Sequence, residues 1–208
     1  MSPTVPGTIV FRGPSDRPRI ALTFDDGPSE CTVEVLEVLE RHGVKATFFM
    51  DGREVLRFQH IARQVREAGH EIGLHSMDHL DHDESGEDAL RDVRVGADVI
   101  ERELDVNITL FRAPYGHFVL ATLLESERRN WTPVHWSAWG EDWKPDETAD
   151  SIAGRVIADL TPGAIVLLHD GRREKRFECP RMLGALELVL AEARARGLEP
   201  VTVSELLG

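Results

Sequence analysis

Two histidines four residues apart, His75 and His79 in HSMDH, can turn both imidazoles toward one metal ion. A carboxylate from the neighbouring pair Asp25-Asp26 would complete a two-histidine, one-carboxylate face with open coordination positions. Such a face has room for a divalent ion, a water and a substrate oxygen; the ion lowers the pKa of the water and polarises a carbonyl. Either aspartate fits the ligand role, and the other then stands beside it as a base. His169, which closes the apolar run IVLLH, is suited to protonating a leaving group.

Each feature also has a plainer account. Asp25-Asp26-Gly27-Pro28 reads as a turn, and so does His169-Asp170-Gly171. An HxxxH pair arises readily by chance in a chain with nine histidines. Arg112 suits an ordinary ion pair, Tyr115-Gly116 a loop corner, and Trp136, Trp139, Trp143 and Leu167 a core. His42, His60, His70, His82, His117 and His135 carry no pattern of their own, although His82 and His117 fall nearest the candidate residues. What weakens the plain accounts jointly is where these residues stand relative to the elements that must hold them.

Short apolar runs bounded by turn residues predict strands over Arg19–Phe24, Ala46–Met50, Glu71–Leu74, Ile108–Phe111, Pro133–Trp136, Ala164–His169 and Glu199–Val203. Amphipathic helices fall between them. Leu90, Val93, Ala97, Ile100 and Leu104 keep helical spacing, with Ser85 and Asp88 as a candidate capping box. Val55, Phe58, Ala62 and Val65 form a second such stripe ending at Gly69, and Leu183, Leu186, Leu190 and Ala193 a third ending at Gly197. Gly43 stops the helix around Val33–Leu39 in the same way. Strand and helix alternating about seven times predict an α/β fold with a mainly parallel sheet, better suited to a small or incomplete barrel than to an open doubly wound sheet. In such folds the site lies beyond the carboxyl ends of the strands. Asp25-Asp26, His75-to-His79, Arg112-to-Tyr115, WSAWGEDW (136–143) and His169 each follow a predicted strand, so one end of one sheet receives them all.

Composition narrows the partners. The chain has 208 residues, 24 Lys+Arg against 37 Asp+Glu, and a formal charge of −13, which argues against a nucleic acid or an anionic membrane surface. Hydrophobic residues make up 41%, enough for a core that needs no disulfide staple. Cys31 and Cys179 are too few for a disulfide framework and lie in no CxxC pattern. Residues 1–18, with four prolines, read as a lead-in to a single domain over 19–208. The start has neither the basic residues nor the apolar stretch of a secretory signal, and no apolar run is long enough to span a membrane; the expectation is a cytoplasmic protein, or a secreted or cell-envelope one if a signal has been trimmed away. No nucleotide-binding glycine motif is present. Nothing here bears on oligomeric state.

Taken in order, the segments resemble the polysaccharide deacetylases of carbohydrate esterase family 4, the NodB-homology domain. TFDDG at 23–27 is similar to that family's first motif, HSMDH at 75–79 to its H-[ST]-x-x-H motif, and RAPYG at 112–116 to its third. DW at 142–143 matches the end of the fourth, and Leu167-x-His169 the fifth. The resemblance spans about residues 17–206. It implies a distorted (β/α)7 barrel and metal-dependent removal of N-acetyl groups from a carbohydrate or small acetamide. By position it makes Asp26, His75 and His79 the metal ligands, with zinc the first expectation and cobalt, nickel or iron as alternatives. Asp25 becomes the general base, His169 the acid, and the Tyr115 backbone N–H an oxyanion donor. Arg112 orients Asp25, Asp142 pairs with His169, and Trp143 and Leu167 wall the acetyl pocket.

Two departures stand out. Family members often carry DxxDW, whereas Trp139 here replaces the first aspartate of Trp139-Gly140-Glu141-Asp142-Trp143, altering support for the site or adding a sugar-stacking surface. The acidic stretch Asp81-His82-Asp83-Glu84 falls at one rim of the expected groove. The rival readings are hydrolysis of a non-sugar amide on the same barrel, a degenerate glycan-binding module, and a non-haem iron oxygenase. The retained Asp25, Asp26, His75, His79 and His169 speak against the second, and the missing HxD/E…H order against the third.

Overall fold

The computed structural model describes residues 8–171 and 179–208. Its strands are β1 (Arg19–Asp25), β2 (Thr47–Asp51), β3 (Glu71–Ser76), β4 (Leu110–Phe111), β5 (Thr132–Pro133), β6 (Ala138–Trp139), β7 (Ile165–His169) and β8 (Glu199–Val201). The helices are α1 (Glu30–His42), α2 (Gly52–Arg57), α3 (Gln59–Glu67), α4 (His82–Ser85), α5 (Glu87–Leu104), α6 (Leu120–Arg129), α7 (Ala149–Ala158), α8 (Cys179–Ala195) and α9 (Val203–Leu207). All the ladders are parallel, in the order β5-β4-β3-β2-β1-β7-β6, with β8 added to the start of β1. The sheet curls into an open, distorted barrel. In the described structure β5 and β6 do not pair; residues from the lead-in bridge to the chain just after β5 and just before β7, Val10 to Val134 and Arg12 to Ala164.

Strand alternation explains how one sequence serves two cores. Ile20, Leu22 and Phe24 of β1, Phe48 and Met50 of β2, and Val166 and Leu168 of β7 face outward into the main cluster beneath the helices. Ala21, Phe49, Leu110, Val134 and Ile165 face inward, where Val203 and Leu206 of α9 pack with them and close the floor. Along the inward face each strand changes character toward its carboxyl end: Ala21, Thr23, Asp25 in β1, and Ile165, Leu167, His169 in β7. The register aligns Asp25 with His169, so the polar ends arrive level.

Several local expectations are revised. The predicted strand Pro133–Trp136 ends early, because the carbonyls of Val134 and His135 are taken by the Arg112 guanidinium rather than by a neighbouring strand. A further strand, β6, follows at Ala138–Trp139. Ser85 does not cap α5; it closes α4, and Gly86, at φ 53°, starts α5 without a side-chain cap. The stripe from Val55 to Val65 breaks at Phe58 into α2 and α3. Gly43, in a left-handed conformation, ends α1 as its sequence suggests. Cys31 and Cys179, which lack any pairing signal in the sequence, form a disulfide joining the first turns of α1 and α8 across a separation of 148 residues. Among the described residues, no helix is long and apolar enough to cross a membrane.

Candidate active site

The turn after β1 is tightly packed. Asp26 takes a left-handed conformation (φ 72°), and Gly171 lies so close that a Cβ there would collide with the Asp26 carbonyl oxygen. The loop after β3 is held from three sides. Ser76 Oγ donates to Asp51 (3.0 Å) and accepts from the His79 N–H (2.7 Å), and Asp92 of α5 accepts the Asp78 N–H at 2.9 Å. Gly96 lets α5 approach, since a Cβ there would meet the Ser76 carbonyl at 2.5 Å. These contacts hold His79 in a left-handed conformation (φ 55°) that costs a non-glycine residue on the order of 1 kcal/mol.

The result is a convergence of three ligand-type atoms. Asp26 Oδ1 lies 3.4 Å from His75 Nε2 and 3.2 Å from His79 Nε2, yet this buried oxygen makes no well-formed hydrogen bond. His75 Nδ1 pairs with the Arg112 carbonyl at 2.8 Å, so it carries the proton and leaves the Nε2 lone pair facing inward. Asp26, His75 and His79 thus fit a divalent metal, with one ligand atom from each and all three within 4.8 Å of one another. Burial alone would raise the Asp26 carboxyl, but the two imidazoles and the charge of His169 hold it well below the usual carboxylate range. Burial would likewise lower His75, and the Asp25, Asp26 and Asp51 carboxylates outweigh it, so the cluster favours a positive charge at its centre.

Asp25 stands beside this cluster, its Oδ2 3.9 Å from His75 Nε2. Its Oδ1 accepts from Arg112 at 2.7 Å. Arg112 is fully buried, donates also to Thr23 at 2.7 Å, and stacks 4.1 Å over the Phe49 ring. On the other flank, the Asp142 carboxylate accepts the His169 backbone N–H at 2.8 Å and meets its Nδ1 at 2.9 Å. Burial opposes protonation of His169, but Asp142, aided by Asp26 and Asp25, raises it to about 10.

Asp25, Asp26, His75, His79, Tyr115, Trp139, Trp143, Leu167 and His169 line one cavity of about 360 Å³, together with His117, Trp136 and Gly171. Arg112 and Asp142 sit behind it, Arg112 holding Asp25 through its guanidinium and His75 through its carbonyl, and Asp142 holding His169. Trp143 meets His169 edge-on at 5.2 Å, Trp139 lies 5.5 Å from Trp143, and Trp136 5.9 Å from Trp139. Tyr115, at φ 57°, turns the RAPYG loop and packs edge-on against His79 at 4.7 Å.

The sequence did not announce Asp51, Asp92 or Asp170, whereas His117, placed there only as one of two histidines nearest the candidates, does line the cavity. Asp170 is buried against α1, where Thr32 donates to it at 2.5 Å; burial, and then the Asp26 and Asp25 charges, raise it to about 7. Its place directly after His169 was its one available signal.

The family model described as polysaccharide deacetylase matches residues 12–133. A peptidoglycan-N-acetylglucosamine deacetylase of Bacillus cereus is 35% identical over 206 residues, covering 97% of this chain and 93% of that one. A chitooligosaccharide deacetylase of a Bradyrhizobium species is 39% identical over 163 residues, covering 73% and 70%. Among solved structures, a peptidoglycan N-acetylglucosamine deacetylase in complex with a hydroxamate-type ligand superposes with a TM-score of 0.89 at 29% identity, covering 96% of this chain and 92% of that one. A family 4 pseudoenzyme from Bacillus anthracis superposes at 0.88 with 26% identity, covering 99% and 70%. Motifs, fold and matched segment agree: the chain belongs to the polysaccharide deacetylases of carbohydrate esterase family 4.

Proposed function

We propose that the protein hydrolyses the acetamide of N-acetylglucosamine units in a glycan, with residues 19–208 as the catalytic unit. The observation that carries this reading is the buried meeting of Asp26, His75 and His79, flanked by Asp25 on one side and His169 on the other. Asp26, His75 and His79 would hold a divalent metal, zinc first among the candidates. When bound, that ion supplies Lewis acidity, making a water more acidic and a carbonyl more electrophilic. Asp25 accepts the proton of the attacking water, and Arg112 fixes the carboxylate that does so. The Tyr115 backbone N–H donates to the oxyanion that develops on the acetyl oxygen. His169, kept protonated by Asp142, gives its proton to the departing amine. Trp143 and Leu167 enclose the acetyl methyl, and Trp139, 39% exposed at the cavity wall, stacks on a sugar face.

The disulfide between Cys31 and Cys179 supports an oxidising compartment, against the cytoplasmic expectation, because such bonds persist where thiols are not kept reduced.

Acetate release by metal-stripped protein, with zinc or cobalt restored, tests the reading. The panel holds chitooligosaccharides, peptidoglycan fragments, acetylated xylan and single N-acetyl sugars. Metal-dependent release from the amino sugars is expected. Tight metal binding with no release from any of them would overturn the substrate assignment and favour a non-sugar amide.

A further inference from the structure

We propose that His117 binds the substrate, donating a hydrogen bond from Nε2 to a hydroxyl of the neutral sugar unit next to the one being deacetylated; this rests on the glycan reading above.

A run of rings leads outward from the buried cluster. His75 and His79 lie 4.9 Å apart, His79 and Tyr115 4.7 Å, and Tyr115 and His117 6.0 Å. The two inner rings are buried, 3% exposed for the His75 side chain and 8% for His79, and the two outer ones are open, 57% for Tyr115 and 42% for the His117 side chain. His117 therefore stands at the mouth of the same cavity, on the flank away from His169 and Trp143.

Its orientation is fixed. His117 Nδ1 meets Asp81 Oδ1 at 2.8 Å, and Asp81 is itself anchored as the cap of α4, accepting the Asp83 N–H at 3.1 Å. Among the described residues Nε2 has no partner. The Asp81 hydrogen bond, with the nearby Asp83 and Glu84 carboxylates, raises His117 and favours a proton on both nitrogens. An exposed pair of this kind adds little to stability and costs side-chain freedom. What it provides is a pre-oriented donor beside the catalytic centre, the arrangement that lowers the ordering cost of binding.

The surroundings select the ligand. Asp81, Asp83 and Glu84 place three carboxylates around one imidazolium, so a carboxylate-bearing sugar at this position is repelled while a neutral hydroxyl is not. Because the deacetylated unit must reach the buried floor, a donor at the mouth faces its neighbour.

The test compares wild type, His117→Phe, which keeps the ring but loses the N–H, and His117→Gln, which keeps a donor. KM and kcat are measured for chitotetraose and N-acetylglucosamine. Calorimetry follows chitotetraose binding to the same variants in an Asp25→Asn background, and bound zinc is counted. In His117→Phe, we expect KM for chitotetraose to rise about 5–10-fold, the worth of one hydrogen bond. We expect kcat to hold within about two-fold, the preference for the tetramer over the monomer to fall by the same factor as KM rises, and His117→Gln to recover part of the loss. An unchanged KM and Kd would overturn the assignment. So would a fall in bound zinc from two ions to one, which would make Asp81, Asp83 and His117 a metal site instead. If wild type deacetylates neither sugar, the catalytic reading fails on its own and the calorimetric arm still decides His117.

Discussion

The Arg112 guanidinium and the Asp25 carboxylate form a buried ion pair, with Nη1 2.7 Å from Oδ1 and Arg112 wholly enclosed behind the cavity wall. Removing one member of such a pair strands the other, a loss of about 3–5 kcal/mol. Arg112→Met is therefore expected to lower the unfolding free energy by that order, read by denaturant melts. Asp25→Asn keeps the shape and an acceptor for Arg112. It is expected to retain bound zinc by elemental analysis and to lose turnover by about 10²–10⁴-fold, the range for a missing general base. Loss of zinc in this variant would mean that the two aspartates exchange roles.

Asp142 overcomes burial to keep His169 protonated to about pH 10. A general acid is lost as pH rises through its pKa, so the alkaline limb of kcat in wild type should lie well above that of an ordinary histidine. Asp142→Asn removes the nearest opposing charge and should move that limb down by roughly 1 to 3 pH units. A pH profile of acetate release checks it; an unmoved limb would assign the alkaline transition to another group.

His70 carries a stability prediction. It is buried, and its Nδ1 accepts the Ala46 N–H at 3.2 Å, so the ring must stay neutral in the fold. Burial, with help from Lys45, lowers its pKa from 6.5 to about 4. Between those values the unfolded chain binds the proton and the folded one does not, so this contribution is intact above pH 6.5 and is lost as pH falls toward 4. His70→Gln keeps an acceptor for Ala46 without titrating. Urea melts at pH 7, 6, 5 and 4 should show a shallower decline for the variant than for wild type.

The Cys31–Cys179 bond closes a loop of 148 residues in sequence. Its removal should cost about 2–4 kcal/mol, or roughly 5–15 °C in Tm for a domain of this size. Wild type in reductant and Cys31→Ser should melt together, with the variant indifferent to reductant. A wild-type Tm that reductant leaves unchanged would show that the bond adds no stability.

The sequence carried the converging residues better than their support. The HxxxH spacing, the adjacent aspartates and the run into His169 were readable because ligand spacing and strand-end position are local facts. The alternation that turns Asp25 and His169 inward is period-two and equally local, but the register that sets them level joins two distant strands. The left-handed backbone at Asp26, His79 and Tyr115 was not readable, since aspartate, histidine and tyrosine do not advertise it as glycine does. Nor were the contacts of Asp51 with Ser76, of Asp92 with Asp78, or of Cys31 with Cys179, whose partners lie on different elements. The early end of β5 escaped for a related reason: its carbonyls answer to Arg112, 22 and 23 residues upstream.

The lead-in bridges the end of β5 to the start of β7. His135 donates its N–H to the Val10 carbonyl at 2.7 Å, the His135 carbonyl accepts from Arg112 at 3.0 Å, and Arg112 holds Asp25. The lead-in therefore behaves as a tethered ligand of the barrel, linked to the Asp25 carboxylate by three consecutive hydrogen bonds. Peeling it away would leave every side chain of the cavity present in composition while slackening the support behind Arg112 and, through it, Asp25.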